Sequence, residues 1–286
     1  MARTIVVTGA NRGIGYAVVR ALAQHPDTNI VMLCRDKAAG ERARAALAAH
    51  TRAELTVVQG ALDSVRGIYD AADRLDQTCA RLDVLIHNAG IWPSRLIKTA
   101  DGLEQAFVVN HLAPFVLNRR LESKLTRGSG RIVQVSAGLY VKGKLDLTRT
   151  PVGADFSALT TYATTKLCNL LLLPKYAERF RPLGVTINAV HPGVIRTGLG
   201  DRDDLLGIVL KLVKRLWRDV ADAAPPIVRL AIEPALSGVS GCYFDRDKQQ
   251  ALLPLALDAK HAEALWQQAE QLTGLTAISD VKSTAR

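Results

Sequence analysis

Cysteine is sparse in this chain, and none of it is spaced to hold a metal. Cys34, Cys79, Cys168 and Cys242 lie far apart, with no C-x-x-C pair and no histidine at ligand spacing. They read as reduced, mostly buried thiols, and no metal is expected. Aromatic residues are only 5% of the composition, and the arginines and lysines are scattered. No base-stacking platform is visible, so nucleic acid is not expected as a partner. No window approaches the roughly 18 to 20 uninterrupted apolar residues needed to cross a bilayer. Met1-Ala2-Arg3-Thr4 runs straight into an apolar stretch, leaving no room for a signal peptide, so the expected location is cytoplasmic. A Pro/Gly/Ser-rich linker is also missing, and the 286 residues are expected to form one domain.

An apolar fraction of 48% is enough for a sizeable core, and the net charge of +10 with a pI near 9.7 favours an anionic ligand. Ile5-Val6-Val7 feeds into Thr8-Gly9-Ala10-Asn11-Arg12-Gly13-Ile14-Gly15 and then into helical spacing through Tyr16, Val18, Val19 and Leu22. The pattern predicts a buried parallel strand, a tight glycine turn and a helix N-terminus. Glycines at 9, 13 and 15 let backbone amides approach a phosphate, and the helix start adds unpaired N–H groups and a positive dipole end. A diphosphate is the natural occupant.

A second strand is expected at Asn29-Ile30-Val31-Met32-Leu33, ending at Cys34-Arg35-Asp36 before a helix over residues 37–49. The residue at this strand end faces the adenosine ribose in a doubly wound sheet. A carboxylate there suits a 2′-hydroxyl and an arginine suits a 2′-phosphate. Arg35, with Arg12 in the glycine turn, favours NADP(H), whereas Asp36 would favour a free ribose if the loop shifted by a residue or two. Further strands are expected at Leu55–Val58, Val84–Ile86 and Arg131–Val135, with helical spacing over residues 64–80. Alternating strands and helices predict an α/β fold with a doubly wound parallel sheet.

The fourth strand stops at His87-Asn88-Ala89-Gly90, small residues suited to a ligand crevice. In the helix expected over residues 102–121, Pro114 should mark a bend or irregular turn, near which Asn110 is an awkward helix former. His111 beside it reads as packing rather than catalysis. Ser136 falls at the end of the fifth strand, and Tyr162 and Lys166 follow at a spacing of four. That spacing puts a phenol and an ammonium on one helix face, about 5 to 6 Å apart at Cβ. Positive charge there would make the phenol more acidic, as proton transfer requires.

Taken together, Thr8-Gly9-x-x-x-Gly13-x-Gly15, Asn88-Ala89-Gly90, Asn110, Ser136, Tyr162-x-x-x-Lys166 and His191-Pro192-Gly193 with Thr197 resemble the short-chain dehydrogenase/reductase family. Cys34-Arg35-Asp36, Val109-Asn110-His111-Leu112, Lys166-Leu167-Cys168-Asn169 and Ser240-Gly241-Cys242-Tyr243-Phe244 are most similar to its retinol-dehydrogenase-like branch. The resemblance implies a single Rossmann-type domain and a catalytic tetrad. In it Tyr162 is the general acid/base, Lys166 lowers its pKa and holds the nicotinamide ribose, Ser136 polarises the substrate oxygen, and Asn110 positions a relay water. It also implies cofactor contacts from Gly9, Asn11, Arg12, Gly13, Ile14, Gly15, Arg35, Asn88, Ala89, Gly90, Pro192, Gly193 and Thr197. The family's adenine-holding Asp soon after the third strand is missing from its usual place in Gln59-Gly60-Ala61-Leu62-Asp63; either a displaced Asp63 or Gln59 would serve, so adenine contacts stay open. Pro174 should kink or end the helix begun at Tyr162, which leaves the oligomeric state open.

Between Leu205 and Arg218, apolar residues at helical spacing alternate with Lys211, Lys214, Arg215 and Arg218. The favoured reading is a lid within residues 194–220 whose apolar face covers the substrate. Attachment to an anionic membrane surface is the rival and an ordinary surface helix the third. Ala262, Leu265, Trp266, Ala269 and Leu272 mark a last helix, and the polar tail over residues 275–286 is expected to fray. The resulting expectation is an NADP(H)-dependent oxidoreductase acting on the carbonyl or alcohol carbon of an apolar small molecule. Its alternatives are a C=C reductase of the same fold and a non-catalytic dinucleotide-binding protein.

Overall fold

Strands rich in Val, Ile and Leu on both pleat faces need cover on both sides, and this chain supplies it with two helical layers. The computed structural model describes residues 2–49, 51–193 and 220–275. Its sheet has eight strands in the order β3-β2-β1-β4-β5-β6-β7-β8. They are β1 (Arg3–Thr8), β2 (Thr28–Cys34), β3 (Glu54–Gln59), β4 (Val84–His87), β5 (Arg131–Val135), β6 (Thr186–His191), β7 (Tyr243–Asp245) and β8 (Lys248–Gln250). All neighbouring pairs are parallel except β7 with β8. The order reverses between β1 and β4, which opens a crevice above their C-terminal ends.

The strand residues divide by pleat. Ile5, Val7, Ile30, Met32, Val84, Ile86, Val133 and Val135 face α1 (Gly13–Leu22), α2 (Lys37–Ala48) and α9 (Ala224–Ile232). Val6, Val31, Leu33, Leu85 and Ile132 face α3 (Val65–Thr78), α5 (Ala113–Arg120) and α7 (Ala158–Leu171), with the short α6 (Glu122–Gly128) leading from α5 into β5. Behind α7 and α5 lies α10 (Ala259–Thr273), whose Trp266 makes edge contacts with Phe115 and Tyr176. Arg119 stands over the indole and pairs with Glu270 at 2.9 Å. Side-chain caps set several boundaries: Asp36 accepts from the Ala39 N–H at the start of α2, and Ser64 accepts from the Gly67 N–H at the start of α3.

The expected helix over residues 102–121 is three pieces: α4 (Gln105–Phe107), a π-helical turn (Val108–Leu112) and α5. It starts later than the spacing predicts because the buried Glu104 carboxylate accepts from the Ala106 and Phe107 N–H groups and fixes the first turn there. The irregularity precedes Pro114, which occupies the first turn of α5. Pro174 likewise opens α8 (Leu173–Phe180) and ends α7 just before it. The lid expected from Leu205 to Arg218, Thr197 and the tail beyond Leu275 lie outside the described residues. No helix among the described residues is long and apolar enough to cross a membrane.

Three strands and α9 were not foreseen in the sequence. β6 hides because buried Asn188 interrupts its apolar pattern. Its amide donates to the Val239 carbonyl at 2.7 Å, and its oxygen accepts from the Cys242 N–H at 3.0 Å, joining β6 to the approach of β7. Asn188→Ala leaves both backbone groups without a partner and should cost about 1–3 kcal/mol. Urea unfolding measures this, and an unchanged midpoint would refute the role given to Asn188.

Candidate active site

The site begins at Thr8, the last residue of β1. Its hydroxyl donates to the Ile86 carbonyl at 3.3 Å and accepts from the Asn88 and Ala89 N–H groups at 3.0 and 2.9 Å. The Asn88 amide donates to the Thr8 and Gly9 carbonyls. Asn88 therefore serves the crevice indirectly, because its side chain is committed to bracing the glycine turn. Gly9 and Gly13 have φ of 65° and 57°, the left-handed region that favours glycine. A Cβ at Gly15 would lie 2.3 Å from the Gly9 carbonyl oxygen and 2.5 Å from Asn88 Nδ2. A Cβ at Gly13 would meet nothing within 4 Å. The turn is thus closed below and open above, and the N-terminus of α1 carries no side-chain cap. Free amides facing open space suit a diphosphate, so the residues present fit a dinucleotide.

At the ribose end, the Cys34 sulfur accepts from the Ala10 and Asn11 backbone N–H groups, holding the end of β2 against the turn, and burial pushes its thiol up to about 11. Arg35 follows and is exposed, as is Arg12. The Asp36 carboxylate, the alternative ribose partner, is engaged in capping α2. Gln59 is exposed and donates to the Arg35 carbonyl at 3.4 Å.

At the other end, Ser136 follows β5, and its N–H donates to the Val190 carbonyl. Its hydroxyl is buried without a hydrogen-bond partner. Lys166 Nζ donates to the carbonyl of Val135, the preceding residue, at 3.0 Å, and lies 5.7 Å from the centre of the Tyr162 ring. A Cβ at Gly90 would be 3.4 Å from Asn110 Oδ1 and 3.8 Å from Lys166 Nζ, ordinary van der Waals contact, so the loop after β4 passes close beside both groups. Asn110 accepts from the Ile91 N–H at 2.8 Å and donates to the Ile91 carbonyl and to the Thr165 hydroxyl. Its own carbonyl accepts from Asn169 Nδ2 at 2.7 Å. Pro192 and Gly193, with φ of 99°, follow β6.

Burial lowers the Lys166 ammonium to about 8 and pushes the Tyr162 phenol above its ordinary range. The expected acidification of Tyr162 by Lys166 is therefore not what this geometry gives. The ammonium is turned to the Val135 carbonyl, and desolvation dominates the phenol. One residue missed in the sequence explains part of that dryness: the Trp92 ring stacks on Tyr162 at 4.7 Å and 12°. Trp92 Nε1 donates to the Ala158 carbonyl at 2.7 Å, fastening the loop to the first turn of α7. Its position just past Asn88-Ala89-Gly90 was the available signal.

A glycine turn at the first strand, a switch-point crevice and a Ser/Tyr/Lys cluster define a dinucleotide-binding α/β oxidoreductase scaffold. The chain belongs to the short chain dehydrogenase family, whose profile matches residues 3–204, and it is retinol-dehydrogenase-like. Human retinol dehydrogenase 14 is 34% identical over 96% of this chain and 87% of its own length. Human retinol dehydrogenase 13 is 34% identical over 97% and 86%. Among solved structures, a Mycobacterium paratuberculosis protein of undescribed function superposes with a TM-score of 0.74 at 28% identity, covering 95% of this chain and 93% of its own. A metagenomic blue fluorescent protein in complex with NADPH gives 0.67 at 26%, covering 86% and 96%. Family membership brings with it a nicotinamide dinucleotide as cofactor.

His87 and His111 are wholly buried, and burial lowers both to about 4. The unfolded chain takes up protons near pH 6.5 while the folded chain does so only near 4. The stability tied to these two histidines is therefore full above about pH 6.5 and is lost as the pH drops toward 4. Glu104, raised by burial, opposes this with a single proton. Urea midpoints at pH 7, 6 and 5 should decline in that order, and a flat series would refute it.

Proposed function

We propose that the protein is an NADP(H)-dependent oxidoreductase that interconverts a carbonyl and an alcohol on an apolar small molecule. The observation that carries this reading is the buried, unpartnered Ser136 hydroxyl at the end of β5, on the strand whose Val135 carbonyl receives Lys166 from the helix of Tyr162. An unsatisfied buried hydroxyl is costly unless a ligand completes it. When bound, the dinucleotide supplies or accepts the hydride. The chain's own groups handle the oxygen: Ser136 donates to it, and Tyr162 exchanges its proton. The Tyr162 phenol carries its proton at neutral pH and so stands in the donor form for a carbonyl being reduced, while burial makes it a weaker acid than a free phenol. Asn110 braces the loop after β4 through both Ile91 backbone groups, and Gly13, Ile14 and Gly15 offer amides to the diphosphate, while Gly9 and Asn11, whose N–H groups are engaged by the Leu33 carbonyl and the Cys34 sulfur, shape the turn around it. Ala89, Gly90, Pro192 and Gly193 belong to the nicotinamide end; Thr197, which the family resemblance adds to them, lies outside the described residues.

Preference for the 2′-phosphate is supported by exposed Arg12 and Arg35 beside the turn and by the engagement of Asp36 elsewhere. Leu96, Val141 and Leu159 stand exposed on the loop after β4, the turn after Ser136 and the start of α7, and favour an apolar substrate. The expected location is cytoplasmic.

Tyr162→Phe should lower kcat by about 10²- to 10⁴-fold with NADPH affinity nearly unchanged. Carbonyl turnover followed by cofactor absorbance measures it, and undiminished turnover would remove Tyr162 from its role. For cofactor choice, kcat/KM should favour NADPH over NADH, and Arg35→Ala with Arg12→Ala should erase that preference. A native preference for NADH would overturn the arginine reading.

A further inference from the structure

Beneath the site, on the side of the sheet away from α1, a string of buried polar groups leads inward from Asn110. Its carbonyl lies in the π-helical turn and accepts from Asn169 Nδ2 at 2.7 Å. Asn169 Oδ1 in turn meets His111 Nδ1 at 3.0 Å. This arrangement fixes every proton. The Asn169 amide must turn its NH₂ to a carbonyl that cannot donate, so its oxygen faces His111, and Nδ1 must carry the hydrogen. A neutral imidazole then has a bare lone pair on Nε2, and burial keeps His111 neutral at physiological pH.

That Nε2 is buried and has no hydrogen-bond partner. His111 lines a cavity of about 10 Å³ together with Asn118, Gln134, Asn169 and Tyr176. The Tyr176 hydroxyl lies near the Asn118 amide without a complete hydrogen bond to it. Asn118 Oδ1 is already engaged by His87 Nε2 at 2.7 Å. An acceptor and a donor thus border a space large enough for one water molecule.

We propose that a single water occupies this cavity and completes a chain in which His111, as its Nδ1–H tautomer, and Asn169 hold the Asn110 carbonyl and with it the π-helical turn. His111 and Asn169 are positioning residues, and this part rests on the oxidoreductase reading above. The water donates to Nε2 and accepts from Tyr176, so each orphaned atom gains its partner. His111 cannot then rotate without breaking two hydrogen bonds. Through Asn169, that rigidity reaches Asn110, whose amide holds the loop past Gly90 beside Lys166. The turn is wound loosely where a helix carbonyl must leave the ladder, and Asn169 receives the one that does.

The tautomer is read from ¹⁵N spectra of histidine-labelled protein, with His111 assigned through His111→Gln. The expected result is Nδ1–H, with no titration between pH 5 and 9. An Nε2–H tautomer, or a midpoint near the ordinary histidine value, would overturn the assignment, as would a high-resolution crystal structure with the cavity empty. Asn169→Leu keeps the volume and removes both hydrogen bonds. It should lower kcat by about tenfold or more, with NADPH affinity within about twofold of native. His111→Phe, which offers Asn169 no donor, should lower kcat in the same direction and carries this arm if Asn169→Leu does not fold. A lower Tm with unchanged kcat in both variants overturns the positioning role. Failure of the native chain to turn over any carbonyl or alcohol would sink the oxidoreductase reading instead, and the assignment would then stand or fall on the tautomer and the water.

Discussion

The close approach of two strand ends, β1 and β4, is the constraint on which the rest depends. Thr8 and Asn88 tie them with hydrogen bonds from one hydroxyl and one amide. That lock leaves no volume for side chains at positions 9 and 15, which is why glycine stands there. It also aims the uncapped start of α1 at the crevice rather than at solvent beside it. The fit of this turn to a diphosphate depends on backbone geometry, and that geometry depends on two small polar side chains whose hydrogen bonds go to the protein's own backbone.

At the opposite end of the crevice the dominant quantity is desolvation. Tyr162, Lys166, Ser136 and Asn110 are all buried, and the phenol and ammonium are both displaced toward their neutral forms. Mutual charge assistance between Tyr162 and Lys166 is weak when the ammonium is directed to the Val135 carbonyl and the indole of Trp92 covers the phenol ring. The helix spacing makes the two residues neighbours, and the environment decides what that proximity does.

Much of this was legible in the sequence because it follows from periodicity and from residues with few alternative uses. The apolar runs of β1, β2, β4 and β5 announced a parallel sheet, and Gly9, Gly13 and Gly15 announced a turn. The doubly wound fold and the family both followed from motifs read in order. What stayed hidden depended on pairing across the fold. Asn188 disguises β6 until its partners at Val239 and Cys242 are known. Glu104 moves a helix start through a buried carboxylate. Trp92 acquires meaning only when α7 comes alongside. Arg12 and Arg35 were readable as a pair, but the engagement of Asp36 that strengthens their case is a fact of capping geometry.

The placement of α10 has a consequence for synthesis. Trp266 packs with Phe115 and Tyr176, and the helix that carries it lies behind the one bearing Tyr162 and Lys166. On the ribosome, the segment bearing those two residues emerges long before its backing does. The nucleotide-facing strands can pair early, while the chemical half of the crevice becomes rigid only once residues 259–273 have emerged and docked. A nascent chain passes through a stage competent to form its sheet but without the full support of its reactive helix.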